Sequence, residues 1–187
     1  MKALTGIIAV LSRLNGILLE LCRWAAIGFV IGIAAIVAAG VFWRYVLNDS
    51  LSWYEEMAKF MMVWLVFMGA PVALRLGGHI SIEMLPDALP PRLRAALWLV
   101  VTVIVAWFCF MLAKYGFLFA WNGRTQTAIA IGDVSMLWIF ASIPAGAAAM
   151  LSVAVQQALE HLANMIRPGS YDGDAFVRRH APTLQTG

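Results

Sequence analysis

Glu55 and Glu56 stand side by side, and Lys59 follows one helical turn after Glu55. Two carboxylates beside an ammonium group can exchange protons or hold a cation, and an ionisable residue inside a membrane span is a functional candidate by default. The same residues at the head of a helix have a plainer use. The positive end of the helix dipole favours acids in the first turn, and Ser52-Trp53-Tyr54-Glu55 has the spacing of a capping box. On that reading the helix begins at Leu51 or Ser52, and Arg44, Lys59 or a partner protein supplies the counter-charge. Both uses stay open, with capping and pairing favoured because the acids fall at a helix start.

Other chemistry is sparse. His79 lies between two predicted spans, and the remaining histidines, His161 and His180, are distant, so no metal-ligand spacing exists and an interface role for His79 is expected. The same scarcity argues against a bis-histidine haem in a four-helix oxidoreductase. Cys22 and Cys109 suggest neither a disulfide framework nor a redox pair. Walker, CxxC and serine-elbow motifs are missing, and the loops are short. Neither an enzyme nor a cofactor in this chain is expected, and the span interiors are expected to hold no buried carboxylate.

The elements that must position these residues are membrane helices. Of 187 residues 63% are hydrophobic and 12% charged, far outside the range of a soluble domain. A span takes roughly 17 to 25 apolar residues. Four are predicted, at about residues 24–43, 52–75, 95–114 and 134–160, the last free to tilt or kink around Pro144. The first and third are uninterrupted by charge; the second carries the acids at its head. Together they make an all-α, four-span membrane domain over residues 1–166, followed by a polar tail, 167–187, predicted to be disordered.

Before the first span, Leu4, Ile7, Ile8, Leu11, Leu14, Leu18 and Leu21 recur at helical spacing opposite Thr5, Ser12, Arg13, Asn15 and Glu20. That pattern fits an amphipathic helix in the membrane interface, or equally an extension of the first span. Gly77-Gly78 stops the second span, a short interfacial helix is expected around residues 80–85, and Pro90-Pro91 opens the third span. Gly28 and Gly32 form a GxxxG, with Gly40 further along that face, and Ala141, Ala145 and Ala149 make a similar stripe. Such faces allow close helix packing, though chance produces them as readily in spans rich in small residues. Trp24, Trp43, Trp53, Trp98, Trp121 and Trp138 fall near span ends, as an interfacial belt does.

With four spans, nine of the thirteen Lys and Arg side chains fall on the side of both termini and the middle loop, which places that side in the cytoplasm. The net charge of +3 is then topogenic and gives no ground for nucleic-acid binding.

The stretch "FWRYVLNDSLSWYEEMAKFMMVWLVFMGAPVALRLGGHISIEML" resembles the small membrane subunit, of Q or DctQ type, of tripartite ATP-independent periplasmic (TRAP) transporters. Arg44 ends the first span, Trp53, Glu55 and Glu56 form W-x-E-E, and Trp64, Gly69-Ala70 and the run from Gly77 through His79 to Glu83 follow. Ile143-Pro144 with Ala145-Gly146 is a looser second match. Pro71 departs from the pattern where a helix former is expected and suggests a bend; Glu83 replaces the commoner aspartate and keeps the charge.

The resemblance implies a place in an inner-membrane, sodium-driven importer of organic acids. The substrate and sodium sites would lie in a large elevator-type partner subunit, and a soluble periplasmic protein would deliver the substrate. This chain would be a scaffold packed against the large subunit as a heterodimer, surrounded by lipid and touching the periplasmic protein transiently. Arg44, Trp53, Glu55, Glu56, Lys59 and His79 would be its interface cluster. The competing reading is an independent four-span transporter working as a homodimer, which would need a membrane-embedded carboxylate for coupling.

Overall fold

Each predicted span becomes a helix. A computed structural model describes residues 2–48, 53–76, 91–127 and 134–166. The helices are α1, Lys2–Val46; α2, Trp53–Leu76; α3, Pro91–Asn122, which runs into a 3-10 turn at Gly123–Thr125; α4, Leu137–Phe140; and α5, Ser142–Ile166. Four stretches are long and apolar enough to cross a membrane: Gly6–Val46, Trp53–Leu76, Ala96–Thr125 and Leu137–Met165. Ser52, His79, the expected helix around residues 80–85 and the tail 167–187 lie outside the described residues.

The N-terminal segment is continuous with the first span, so of the two anticipated geometries the extension is the one present. At 45 residues, α1 is about 67 Å long. Its polarity differs from the expected pattern. Asn15 is buried together with Ile8, Leu19 and Cys22, while Ile7, Leu14 and Leu21 face outward. A helix in lipid needs no protein cover for its leucines, whereas a side chain that must hydrogen-bond turns toward another helix. α1 stops where Asn48 takes a left-handed conformation, φ 52°, a backbone state asparagine tolerates at helix ends.

α3 runs eight residues beyond the expected end at Lys114. That lysine is exposed on the helix, its ammonium 5.8 Å from the Tyr115 ring, so a charge taken as a boundary is a long side chain on a continuing span. The fourth span breaks at Ala141. Pro144 has no N–H to offer the Phe140 carbonyl, and the chain crosses the break with Ala141 N–H on Leu137 O, Ala145 N–H on Ala141 O and Ser142 Oγ on Ile139 O. α2, by contrast, continues through Pro71, whose ring is fully buried.

The helices form an open row rather than a closed bundle: α1 lies against α2, α2 against α5 and α5 against α3, and α1 also touches α5. Among the described residues α3 makes no extended packing with α1 or α2. α5 is therefore central. In its most apolar stretch 39% of residues are buried, against 6%, 6% and 11% in the other spans. It achieves this with small side chains, burying Ser142, Gly146, Ala149, Val153, Gln156 and Glu160 on one face and Ala147, Ala154 and Gln157 beside it.

The contacts fix the directions. α1 and α2 are antiparallel, with Gly40 against Tyr54, Gly32 against Met61 and Phe29 stacked on Trp64 at 6.2 Å. α2 and α5 are parallel, as Phe67 meets Gly146 and Gln157 reaches Leu74. α3 and α5 are antiparallel, through Trp98 with His161, Gly116 with Ile143 and Phe119 with Phe140. Trp64 donates to the Trp138 carbonyl, so α5 and α3 end level with the middle of α2. The α1–α2 pair thus stands about 16 Å proud at its Arg44 end. Spans offset in this way share one hydrocarbon slab only when the helices are inclined to its normal.

Candidate functional site

At the Arg44 end the residues singled out from sequence come near one another but do not form a closed cluster. Trp53 opens α2, Glu55 and Glu56 occupy its first turn, and Lys59 is one turn on. Trp53, Glu55, Lys59 and Arg44 are exposed and Glu56 is half-buried. Glu55 accepts from the Tyr54 hydroxyl at 3.2 Å. Among the described residues Arg44, Glu55 and Lys59 form no ion pair with one another. What joins the two helices here is Gly40, whose missing side chain leaves room for the Tyr54 ring.

The small-residue faces divide. Gly32 and Gly40 lie against α2, whereas a side chain added at Gly28 would enter open space. Ala149 is buried, Ala141 half-buried and Ala145 exposed, because the contact face of α5 passes through Gly146 instead. A Cβ at Gly146 would stand 2.5 Å from the Phe67 carbonyl oxygen. That carbonyl is the one Pro71 deprives of its helical donor, so α2 presents its vacant acceptor to the one α5 residue without a side chain. The two stretches that carry the family resemblance, around Gly69-Ala70 and Ala145-Gly146, meet here.

The densest polar arrangement lies at the other end, around Arg75, and the sequence reading missed it. Arg75, on the last turn of α2, makes a two-pronged bond to Glu160 of α5: Nη1 donates to Oε2 at 2.9 Å and Nη2 to Oε1 at 3.0 Å. Gln156, one turn back on α5, donates to Glu160 Oε1 at 2.7 Å. Its own Oε1 accepts from Asn15 of α1 at 2.7 Å, and Asn15 also donates to the Ser152 carbonyl at 3.0 Å. Gln157 donates to the Leu74 carbonyl at 3.2 Å. All five side chains are buried, Gln156 completely and Glu160 to 8% exposure.

The expectation of no buried carboxylate is therefore corrected. Glu160 had been placed at a span boundary, but α5 stays helical and apolar to Met165, and α2 covers the carboxylate with an arginine. Arg75, one of the nine cations on the side of both termini and the middle loop, is likewise buried rather than a surface charge. The available signal was Gln156, Gln157 and Glu160 within five residues of an apolar helix, where three polar side chains need partners. Chemically, both oxygens of Glu160 are occupied, so the arrangement is a tie between three helices.

Residues 33–164 match the family of tripartite ATP-independent periplasmic transporters, DctQ component. The sequence is 30% identical, over 71% of this chain, to the sialic acid TRAP transporter permease protein SiaT of Haemophilus influenzae, of which the chain spans only 21%. It is 27% identical over 66% of its length to the sialic acid TRAP transporter small permease protein SiaQ of Vibrio cholerae, covering 69% of that protein. A shorter stretch, 36% of the chain, is 35% identical to the C4-dicarboxylate TRAP transporter small permease protein DctQ of Vibrio cholerae, covering 30% of it.

Proposed function

The chain belongs to the DctQ components of the tripartite ATP-independent periplasmic transporters, and from that membership we propose that it is the small membrane subunit of a sodium-driven importer of organic acids, anchoring a separate large subunit. The observation that carries the reading is the family match itself, which runs from residue 33 to residue 164 and so enters all four spans. SiaT supports the partner: there the matched stretch is about a fifth of one longer permease chain, as a small subunit fused to a large one would be.

A scaffold role is supported by how the polar groups are engaged. The buried carboxylate is bound to an arginine and a glutamine of its own chain, which suits a rigid support better than a coupling site. The open row of helices also leaves broad apolar faces for a partner and for lipid. The distribution of cations supports placing both termini and the Arg75 end in the cytoplasm of a bacterial inner membrane. Sodium and substrate then bind in the large subunit, and the Arg44 end faces the periplasm, where a substrate-binding protein docks transiently.

The test is affinity purification of the tagged chain from its native membranes in mild detergent, with mass identification of what remains bound. A stoichiometric large TRAP permease chain is the expected result; a folded chain recovered alone or as a homodimer overturns the reading. In the same membranes, Glu55→Gln or Glu56→Gln is expected to lower assembly or uptake without changing which acid is transported. An intact complex with altered sodium dependence would instead assign those acids to ion handling.

A further inference from the structure

α5 is rich in small residues, with Ala145, Ala147, Ala148, Ala149, Ala154 and Ala158 around Gly146. Apart from the notch at Gly146 that receives the Phe67 backbone, such a helix presents nearly the same shallow surface after each turn. Apolar packing alone then distinguishes poorly between the observed alignment of a neighbour and one slid by a turn, about 5.4 Å. Within the membrane no hydrophobic driving force separates the two, since lipid covers exposed leucines as well as protein does. Beyond the single close approach of Gly146 to Phe67, directional bonds are what can select the alignment.

We propose that the chain of bonds from Arg75 through Glu160 and Gln156 to Asn15 is a register key, fixing α2 and α1 at one axial position on α5. Arg75 meets Glu160 with both terminal nitrogens. A slip of one turn breaks both contacts at once and leaves two charges buried without each other, the arrangement proteins tolerate least. Gln156 then hands the alignment on: its amide nitrogen is engaged by Glu160 and its oxygen by Asn15, so the position of α1 is set by the same element that sets α2. Leu19 of α1 and Val153 of α5, packed with Val72, Leu74 and Leu76 of α2, form the apolar counterpart beside it and have no such directionality.

A buried ion pair commonly adds little net stability over apolar residues of the same shape, so specifying register is a separable property. Pulsed electron-spin distance measurements separate the two. Spin labels are placed at Met62 of α2 and Leu162 of α5, both exposed, in a background with Cys22→Ala and Cys109→Ala. The Met62–Leu162 distance runs mostly along the helix axes, and a slip changes it by about one turn, 5.4 Å. The parent chain is expected to give a single narrow distribution. In Arg75→Met with Glu160→Met, which keeps side-chain bulk and removes both charges together, a second population displaced by about 5 Å is expected while helicity is unchanged. Exchanging the pair, Arg75→Glu with Glu160→Arg, is expected to bring the narrow distribution back. An undisplaced, equally narrow distribution in the double methionine variant overturns the proposal.

Discussion

The two ends of the helix row use the same residue types in opposite ways. At the Arg44 end, Arg44, Glu55 and Lys59 are exposed, and α1 and α2 are joined by Gly40 receiving a tyrosine ring. At the Arg75 end, an arginine and a glutamate are buried against each other and tied through Gln156 to Asn15. The difference lies in solvation. Acids in a first turn keep access to water or headgroups and are favoured by the helix dipole, so they need no protein partner. A carboxylate enclosed by helices has lost its water and must find donors within the fold. The exposed charges of Arg44, Glu55 and Lys59 are therefore open to another molecule, and charge at the other end is committed to the chain's own architecture.

The largest test of that contrast is to break the buried pair from one side. Arg75→Met leaves Glu160 enclosed with a glutamine as its remaining donor, and unfolding in detergent is expected to become easier by about 3–5 kcal/mol. The double substitution Arg75→Met with Glu160→Met removes the uncompensated charge and is expected to recover most of that loss. Thermal unfolding followed by tryptophan fluorescence gives both values. Equal losses in the single and double variants would mean the pair stabilises through more than charge compensation.

A smaller effect is expected midway between the ends. Gly146→Ala places a methyl group 2.5 Å from the Phe67 carbonyl oxygen, too close for the backbones to remain as they are, so α2 must move off α5. Overpacking of that kind destabilises by about 1–3 kcal/mol. The control is Gly28→Ala, where the new methyl enters open space and helix propensity alone predicts a gain of up to about 1 kcal/mol. Opposite signs from two glycine-to-alanine changes in one chain would locate the close contact at the α2–α5 crossing.

Smaller again is Asn15→Ala. It removes two donated bonds and leaves Gln156 Oε1 without its α1 donor, with an expected loss of about 0.6–1.7 kcal/mol, the range for hydrogen bonds between membrane helices. Refolding yield and thermal midpoint both report it. A loss as large as that of Arg75→Met would make α1 a full member of the tie, with the ion pair no longer its centre.

How far the sequence could be read follows from the same physics. Spans are legible because lipid demands long apolar runs whatever packs against them, and the described helix α2, Trp53–Leu76, overlies the second predicted span. Lys114 is no boundary because a lysine can sit on a span without ending it. Asn15 misled because periodicity reveals two faces of a helix but does not say which meets protein, and lipid reverses the assignment that water would make. The partnership of Arg75 and Glu160, 85 residues apart, depends on α5 lying beside α2 rather than beside α1 alone, and no local pattern encodes that. Gly32 and Gly40 lie against α2 and Gly28 does not, a division that the spacing of the three glycines alone does not reveal.

The smallest expected effect on folding is at the Arg44 end, and it decides whether the contrast holds. Glu55→Gln keeps the shape of the side chain and its acceptor for the Tyr54 hydroxyl while removing the charge. Because the carboxylate is exposed, the isolated chain is expected to unfold within about 0.5 kcal/mol of the parent. Lys59→Ala, equally exposed, is expected to behave the same way. Any strong consequence of either change should then appear only with a partner present, as poorer recovery of the complex or slower uptake. If Glu55→Gln instead destabilises the isolated chain as much as Asn15→Ala does, the first-turn acids are part of the fold, and both ends of the row hold their charges for the same reason.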